Sequence, residues 1–270
     1  MALIQCRFKS QVLHMSTSMT VILPENMTIG TRVPTLYLLH GYSDDDSIWL
    51  RRTSIERYVE NLGIAVIMPQ VHRSFYTDMD KGLNYWTFLS EELPQVARSL
   101  FPLSTEREDN FVAGLSMGGY GAFKWALRKP EFFAAAASLS GALVMGRQNG
   151  RATDEPISSD LKLIYGEQGY ATTEDDLLWL IEHGSKERTQ HGSTKERSQH
   201  GSTSERSQPL LYQCCGTGDF LYEDNLVFRD LCKKTDLSLT YEEGPGIHDW
   251  AYWDMKIQDV LAWLPIKQHS

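Results

Sequence analysis

NFVAGLSMGGYGAF, residues 110–123, sets one serine among four glycines directly after an apolar run. A surface linker would carry polar neighbours. A strand would avoid glycine at 114, 118, 119 and 121. The pattern Gly114-x-Ser116-x-Gly118 between a predicted strand and a predicted helix reads instead as a sharp strand-to-helix turn that displays a serine. Residues two positions either side of the serine must lack side chains, or they would collide across the turn. Gly119 and Gly121 then let the following helix lie close on a sheet. The start of that helix turns its partial positive charge toward the serine.

Outward from this turn the chain alternates. Short apolar runs begin with ALIQCRF and MTVILP, a pair that suggests an antiparallel start. TLYLLHG, IAVIMPQ, NFVAGLS, FAAAASLSG, LLYQCCGTGD and LSLTYEEGPG follow. Most are continuous rather than alternating, as strands buried on both faces of a parallel sheet are. Helical patterns fall between them. SIERYVENLG closes on Gly63, and YWTFLSEELPQVARSLFP is kinked or divided at Pro94. GGYGAFKWALRKP stops at Pro130, TTEDDLLWLIEHG carries threonine caps, acids in its first turn and Gly184 at its end, and YWDMKIQDVLAWLP closes the chain. On its last helix Trp253, Ile257, Val260, Leu261 and Leu264 share a face. The alternation predicts an α/β fold, a mostly parallel sheet with helices on both faces.

A chain of 270 residues suits one large α/β domain, residues 1–270. Its net charge of -9 argues against a nucleic-acid partner or an anionic membrane surface. No apolar run is long enough to span a membrane, and MALIQCRFKSQV is not read as a leader. Cys6, Cys214, Cys215 and Cys232 read as reduced core thiols, which suits a cytoplasmic location. The subunit count is left open, a homo-oligomer included.

Residues 183–208 break the pattern with three imperfect copies of HGSTKERSQ. With five basic residues, three acidic ones and no large apolar ones, they cannot bury a core and read as an exposed insertion. Their three histidines lack the fixed geometry a metal needs. SDDDS at 43–47 reads as a helix start and YTDMDKG at 76–82 as a loop. Neither has the spacing of a calcium loop. No metal and no cofactor are predicted.

A serine needs a base within hydrogen-bond reach, and the base needs an orienting carboxylate. After this kind of turn the order is serine, acid, histidine. LLYQCCGTGDF supplies Asp219 at a strand end, ahead of Glu223 and Asp224 in the next helix. EEGPGIHDW supplies His248 in a loop before the last helix, and His269 falls at the end of the chain. Two backbone N–H groups should face the developing oxyanion: Met117, after the serine, and Tyr42, after the His40-Gly41 pair that ends an apolar strand. His40 is read as holding that loop. Gly41, Tyr76 and Trp250 are candidate substrate contacts.

With these residues located, the sequence resembles the tributyrin esterase group of the esterase D-like α/β-hydrolases, relatives of S-formylglutathione hydrolases and feruloyl esterases. The resemblance covers nearly the whole chain and rests on LLHGYSDDDSIWLRRTSIERY, YTDMDKGLNYWTFLSEELPQV, AGLSMGGYGAFKWAL, YQCCGTGDFLYEDNLVFRD and YEEGPGIHDWAYWD. It implies the α/β-hydrolase fold and a cofactor-free serine carboxylesterase acting on small short-chain acyl esters. Ser116 matches its nucleophile, Asp219 its acid and His248 its base, with Tyr42 and Met117 as oxyanion donors. The repeat at 183–208 departs from the family pattern. A thioesterase of the S-formylglutathione type and a feruloyl-type esterase use the same machinery and are the alternatives. A non-catalytic binding module would ordinarily lack a triad member, a peptidase would carry a large cap or propeller, and acyl transfer to an alcohol stays chemically open.

Overall fold

The computed structural model describes residues 1–25, 27, 28, 30–144, 157–191 and 208–267. Among them, eight strands form one sheet: β1 (Ala2–Lys9), β2 (Ser16–Leu23), β3 (Thr35–Leu39), β4 (Ala65–Pro69), β5 (Asn110–Leu115), β6 (Ala135–Leu139), β7 (Leu210–Gly216) and β8 (Leu239–Gly244). Their order is β1-β2-β4-β3-β5-β6-β7-β8. β1 pairs antiparallel with β2, and β2 with β4; from β4 to β8 every pairing is parallel. This is the α/β-hydrolase fold.

The unbroken apolar runs are explained by two cores. Tyr37, Leu39 and Val112 point into one, against Phe123 and Trp125 of the helix that follows the serine. Leu36, Leu38, Phe111, Ala113 and Leu115 point into the other, beneath the last helix. Alternate residues of one strand therefore serve opposite layers, so both sets are mainly apolar.

The helices are α1 (Ile48–Arg52), α2 (Ile55–Val59), α3 (Tyr85–Thr87), α4 (Leu93–Leu100), α5 (Met117–Arg128), α6 (Ile157–Tyr165), α7 (Leu177–His191), α8 (Tyr222–Cys232) and α9 (Trp250–Trp263). A π-helical turn, Phe88–Glu92, joins α3 to α4 just ahead of Pro94. Proline has no N–H for the carbonyl four residues back, and the wider turn absorbs the break without ending the helix. α2 is shorter than SIERYVENLG suggests, and Gly63 stands beyond it at φ +65°. The five residues expected on one face of the last helix are all buried, four of them in α9 and Leu264 directly after it.

Two expectations are corrected. Gly184 does not end its helix: α7 runs through it to His191, into the first repeat unit. The cap is also different, because Asp176 rather than a threonine holds the start, accepting from the amides of Leu178 and Trp179 at 3.1 and 3.3 Å. His183 stacks on Trp179 within this helix, with ring centroids 4.3 Å apart. The insertion expected for the rest of the repeat, from 192 to 207, lies outside the described residues. α6 has no counterpart among the predicted helices. In SDDDS, Asp45 turns the chain into α1 by accepting from Ser47 N and Oγ, and no acid sits in the helix's first turn. Cys214, Cys215 and Cys232 are buried, whereas Cys6 is half-buried on the edge strand, and all four are free thiols.

Candidate active site

The carboxyl ends of β3, β5, β7 and β8 converge, and the site is built there by close backbone contact. Ser116 has φ 52° and ψ −117°, outside the regions ordinary residues prefer. Its amide donates to Leu139 O at the end of β6, and its carbonyl accepts from Ala142 N and Tyr120 N, so the strained residue is pinned on both sides. A Cβ at Gly114 would stand 2.4 Å from the Gly118 carbonyl. One at Gly118 would stand 2.5 Å from Leu39 O and 2.7 Å from His40 O. The missing side chain of Gly118 thus sets the start of α5 directly against the end of β3. The loop that leaves β3 toward Tyr42 therefore starts beside the first turn of α5, which Met117 opens. Met117 opens α5, where N–H groups have no partner within the helix, and among the described residues no acceptor takes the Tyr42 N–H.

A second backbone contact joins β7 to β8. A Cβ at Gly216 would lie 2.5 Å from the carbonyl of Gly246. Thr217 N donates to Gly244 O and Gly218 N to Gly246 O, both at 2.9 Å. The loops after the two strands therefore run side by side, one carrying Asp219 and the other His248.

The three polar side chains expected to act together meet. His248 Nε2 is 3.0 Å from Ser116 Oγ, and His248 Nδ1 is 3.0 and 2.8 Å from the two oxygens of Asp219. The Asp219 side chain is fully buried and that of His248 is 17% exposed, so the imidazole alone links the carboxylate to the cleft. Leu221 N also donates to Asp219 Oδ1 at 2.8 Å, which fixes the carboxylate. Glu223 and Asp224 lie in α8, as expected, and do not bond His248. The imidazole is wedged between Phe220, at 4.5 Å, and Trp253, at 4.9 Å. Beside it the Cys215 thiol is pushed well up, chiefly by burial and then by the Asp219 charge. It stays protonated and does not compete as a nucleophile.

His40 holds its loop. Val71 N donates to His40 Nε2 at 3.2 Å, which leaves Nδ1 to carry the proton and donate to Gly41 O at 2.7 Å. Burial lowers its pKa and keeps it neutral. Gly41 lies against Leu115 and Asp44. Trp250 is half-buried in the first turn of α9, edge-on to Trp49 and Trp253. Tyr76 is a correction. It is fully buried, its ring fills the space beside Gly121, and its hydroxyl donates to His40 O at 2.8 Å. It braces the loop from below and does not face substrate. Gly121 accordingly makes room for Tyr76, and it is Gly119 that lets α5 approach the sheet, at Ser138.

Sequence reasoning overlooks several residues around this centre. Phe220, which packs on the imidazole, and Ile247, which precedes His248 in the chain, are 67% and 57% exposed, although both are large and apolar. Lys124 on α5 is completely buried and bonds Asp175, Tyr76 O and Thr77. Arg73 and Asp160 meet the side chain of Tyr42. The one sequence signal among these is Lys124, a charge inside the apolar run GAFKWAL.

The model of the putative esterase family matches residues 10–264. The chain belongs to this family. It is 32% identical to an acetyl esterase from Caldicellulosiruptor saccharolyticus, over 98% of both chains. Among solved structures it resembles a fluorophosphonate-binding serine hydrolase F of Staphylococcus aureus, with a TM-score of 0.84, 35% identity, and 97% of this chain and 98% of that one covered. An S-formylglutathione hydrolase from the same organism matches with a TM-score of 0.81, 35% identity and the same coverage. The protein is a carboxylic ester hydrolase acting on small-molecule substrates. Among the described residues no helix is long and apolar enough to cross a membrane.

Proposed function

We propose that the protein is a serine esterase of short-chain acyl esters, with Ser116 as nucleophile, His248 as general base and acid, and Asp219 as its orienting carboxylate. The observation that carries this reading is the unbroken hydrogen-bonded path from Asp219 through His248 to Ser116 Oγ. Ser116 Oγ attacks the ester carbonyl carbon while its proton passes to His248 Nε2. The carbonyl oxygen becomes an oxyanion held by the Met117 and Tyr42 amides. The tetrahedral intermediate collapses, the bond to the alcohol oxygen breaks, and His248 returns the proton to the leaving alcohol. Water then attacks the acyl-enzyme with His248 again taking a proton, the bond to Ser116 Oγ breaks, His248 returns the proton to Oγ, and the acid departs. Every group in this sequence belongs to the chain, and no cofactor enters it.

Preference for short acyl groups is supported by the acetyl esterase relative, which spans the whole chain. The resemblance of AGLSMGGYGAFKWAL and YEEGPGIHDWAYWD to motifs of the tributyrin esterase group supports the same preference. A thioester reading is favoured by one observation, the S-formylglutathione hydrolase neighbour at 35% identity. The chemistry there is the same with sulfur as the leaving atom.

Initial rates across p-nitrophenyl esters from acetate to decanoate, beside S-formylglutathione, test both readings. The expected result is a maximum at four carbons or fewer, with the thioester slower than the best ester. Decanoate turned over faster than butyrate below its micellar concentration would refute the short-chain preference.

A further inference from the structure

The side chain of Tyr42 is anchored more firmly than a loop residue needs. Its hydroxyl donates to Asp160 Oδ2 at 2.5 Å and accepts from Arg73 Nη2. Arg73 Nε in turn lies 2.9 Å from Asp160 Oδ2, and its guanidinium carbon sits 4.4 Å from the centre of the Tyr42 ring. The ring also packs on Phe75. The closed cluster joins three separate segments: the loop after β3, the loop after β4 and the helix α6.

Both anchoring segments are themselves fixed. Arg73 stands in a turn where His72, Phe75 and Tyr76 all have positive φ, at 52°, 49° and 53°. Three such non-glycine residues in five positions persist only where surrounding contacts impose them. α6 is tied back by backbone bonds from Asp80 N to Ile164 O and from Lys81 N to Leu163 O, both at 2.8 Å. Upstream of Tyr42 the chain is pinned by the His40 imidazole on Gly41 O and by the Tyr76 hydroxyl on His40 O. The main chain at residue 42 is therefore held from one side through its backbone and from the other through its phenol. Burial, followed by the Asp160 contact, pushes that phenol up to about 12, so it remains a donor throughout the working range.

We infer that Tyr42, Arg73 and Asp160 form a positioning cluster that aims the Tyr42 N–H at the oxyanion, making the seat of α6 part of the catalytic geometry. This rests on the serine-esterase reading above. It adds that a side-chain hydroxyl at the far end of Tyr42 from its amide controls turnover through the backbone of its own residue. The size of the effect is bounded by general experience. An oxyanion donor is worth about 10²–10³ in kcat, and displacing rather than deleting one forfeits part of this.

Tyr42→Phe tests the inference because it keeps the amide, the ring and its contact with Phe75 and removes only the hydroxyl. On a butyrate ester we expect kcat to fall about tenfold, within the range set by a displaced donor, with KM changed less than twofold. Affinity for an alkyl boronic acid, whose serine adduct puts an oxygen where the oxyanion forms, should fall by the same factor. Asp160→Asn should reproduce part of both losses, and the double variant should be no worse than Tyr42→Phe alone, since one anchor is being removed twice. Unchanged boronate affinity would overturn the inference: with a lowered melting temperature the cluster only braces α6, and with a raised KM the phenol or Arg73 touches substrate. Ser116→Ala separates the two levels of the argument. If that variant keeps its activity, the reading of the site fails; if it is dead while Tyr42→Phe matches wild type in kcat and boronate affinity, only the positioning role fails.

Discussion

At the carboxyl ends of β5 and β7 the chain is held by contacts that a single methyl group would break, whereas the connection between α6 and α7 is tied to α5 by charge. Gly114 and Gly118 leave no room for a Cβ between α5 and β3, and Gly216 leaves none between β7 and the loop before His248. Over α5 the contacts are of another kind. Lys124, fully buried, bonds Asp175 at 2.6 Å, and Arg128 bonds Asp175 and Glu174 while lying 4.0 Å over Trp86. The Tyr120 hydroxyl reaches Asp175 O, and Tyr165 reaches Tyr120. Steric contact fixes position to a fraction of an ångström and tolerates no variation. Paired charges fix it through partners distant in sequence. A reacting serine needs the first kind of precision; a segment lying beside the cleft can be held by the second.

The largest expected effect lies at the sterically built centre. Ser116→Ala removes the proposed nucleophile and leaves the turn intact, because alanine fits where serine did. Turnover should fall on the order of a millionfold, about 8 kcal/mol of lost transition-state stabilisation, with the melting temperature nearly unchanged. A fluorophosphonate probe should label wild type at Ser116 and leave the variant unlabelled by mass spectrometry. Labelling at another residue would remove Ser116 from its role.

Gly118→Ala comes next. The added methyl would meet two backbone carbonyl oxygens, at 2.5 and 2.7 Å, and neither can swing aside as a side chain would. The cost should reach about 4 kcal/mol, beyond the ~1–3 kcal/mol of ordinary overpacking. Residual activity should drop further than stability does, since the clash forces the end of β3, and with it the loop that carries Tyr42, away from α5. Chemical denaturation and butyrate-ester turnover measure the two separately. A variant with wild-type stability would mean that the approach of α5 to β3 is looser than the contact implies.

On the charged side, Lys124→Met should cost about 3 kcal/mol, near the low end for a broken buried pair because Arg128 remains beside Asp175. The pH dependence has a definite sign. Burial pushes the Lys124 pKa down from 10.5 to about 8, against the opposing pull of Asp175. Below pH 8 both folded and unfolded chains hold the proton. Between about pH 8 and 10.5 the unfolded chain holds more protons than the folded one, so wild-type stability gains with rising pH relative to the variant. The gap between wild type and Lys124→Met should therefore widen from pH 7 to pH 9.5 in urea unfolding. A gap that narrows would mean that the folded protein raises the lysine pKa.

The same contrast governs which features the amino-acid sequence makes legible. The turn at Ser116 is legible because its constraint is local: two glycines flanking a serine, after an apolar run and ahead of a helix. Asp219 and His248 follow from chain order at strand ends, and their meeting at 2.8 Å needs only the parallel sheet that the unbroken apolar strands imply. Tyr76 misleads because an aromatic beside a cleft and one beneath it look alike in sequence; the glycine that makes room for it, Gly121, lies far along the chain. Lys124 is visible as a charge in an apolar run, yet nothing near it names Asp175. α6 carries its apolar residues in a nine-residue stretch, too short for periodicity to stand out, and Asp160 meets Tyr42 across 118 positions.

Gly184 gives the smallest effect and the sharpest sign. As a helix-ending residue it would adopt a left-handed conformation, and alanine there would cost about 1 kcal/mol. In the structure it lies inside α7, without positive φ, and a Cβ would meet nothing within 4 Å. Alanine should then stabilise the protein by roughly 0.5–1 kcal/mol, the ordinary advantage over glycine within a helix, with turnover unchanged. Thermal unfolding of Gly184→Ala distinguishes the two by direction alone. A lowered midpoint would end α7 at Gly184 and return the whole of the repeat to the loop that its composition suggests. A raised one would make the first repeat unit a helical extension, anchored at its base by Asp176 on the amides of Leu178 and Trp179.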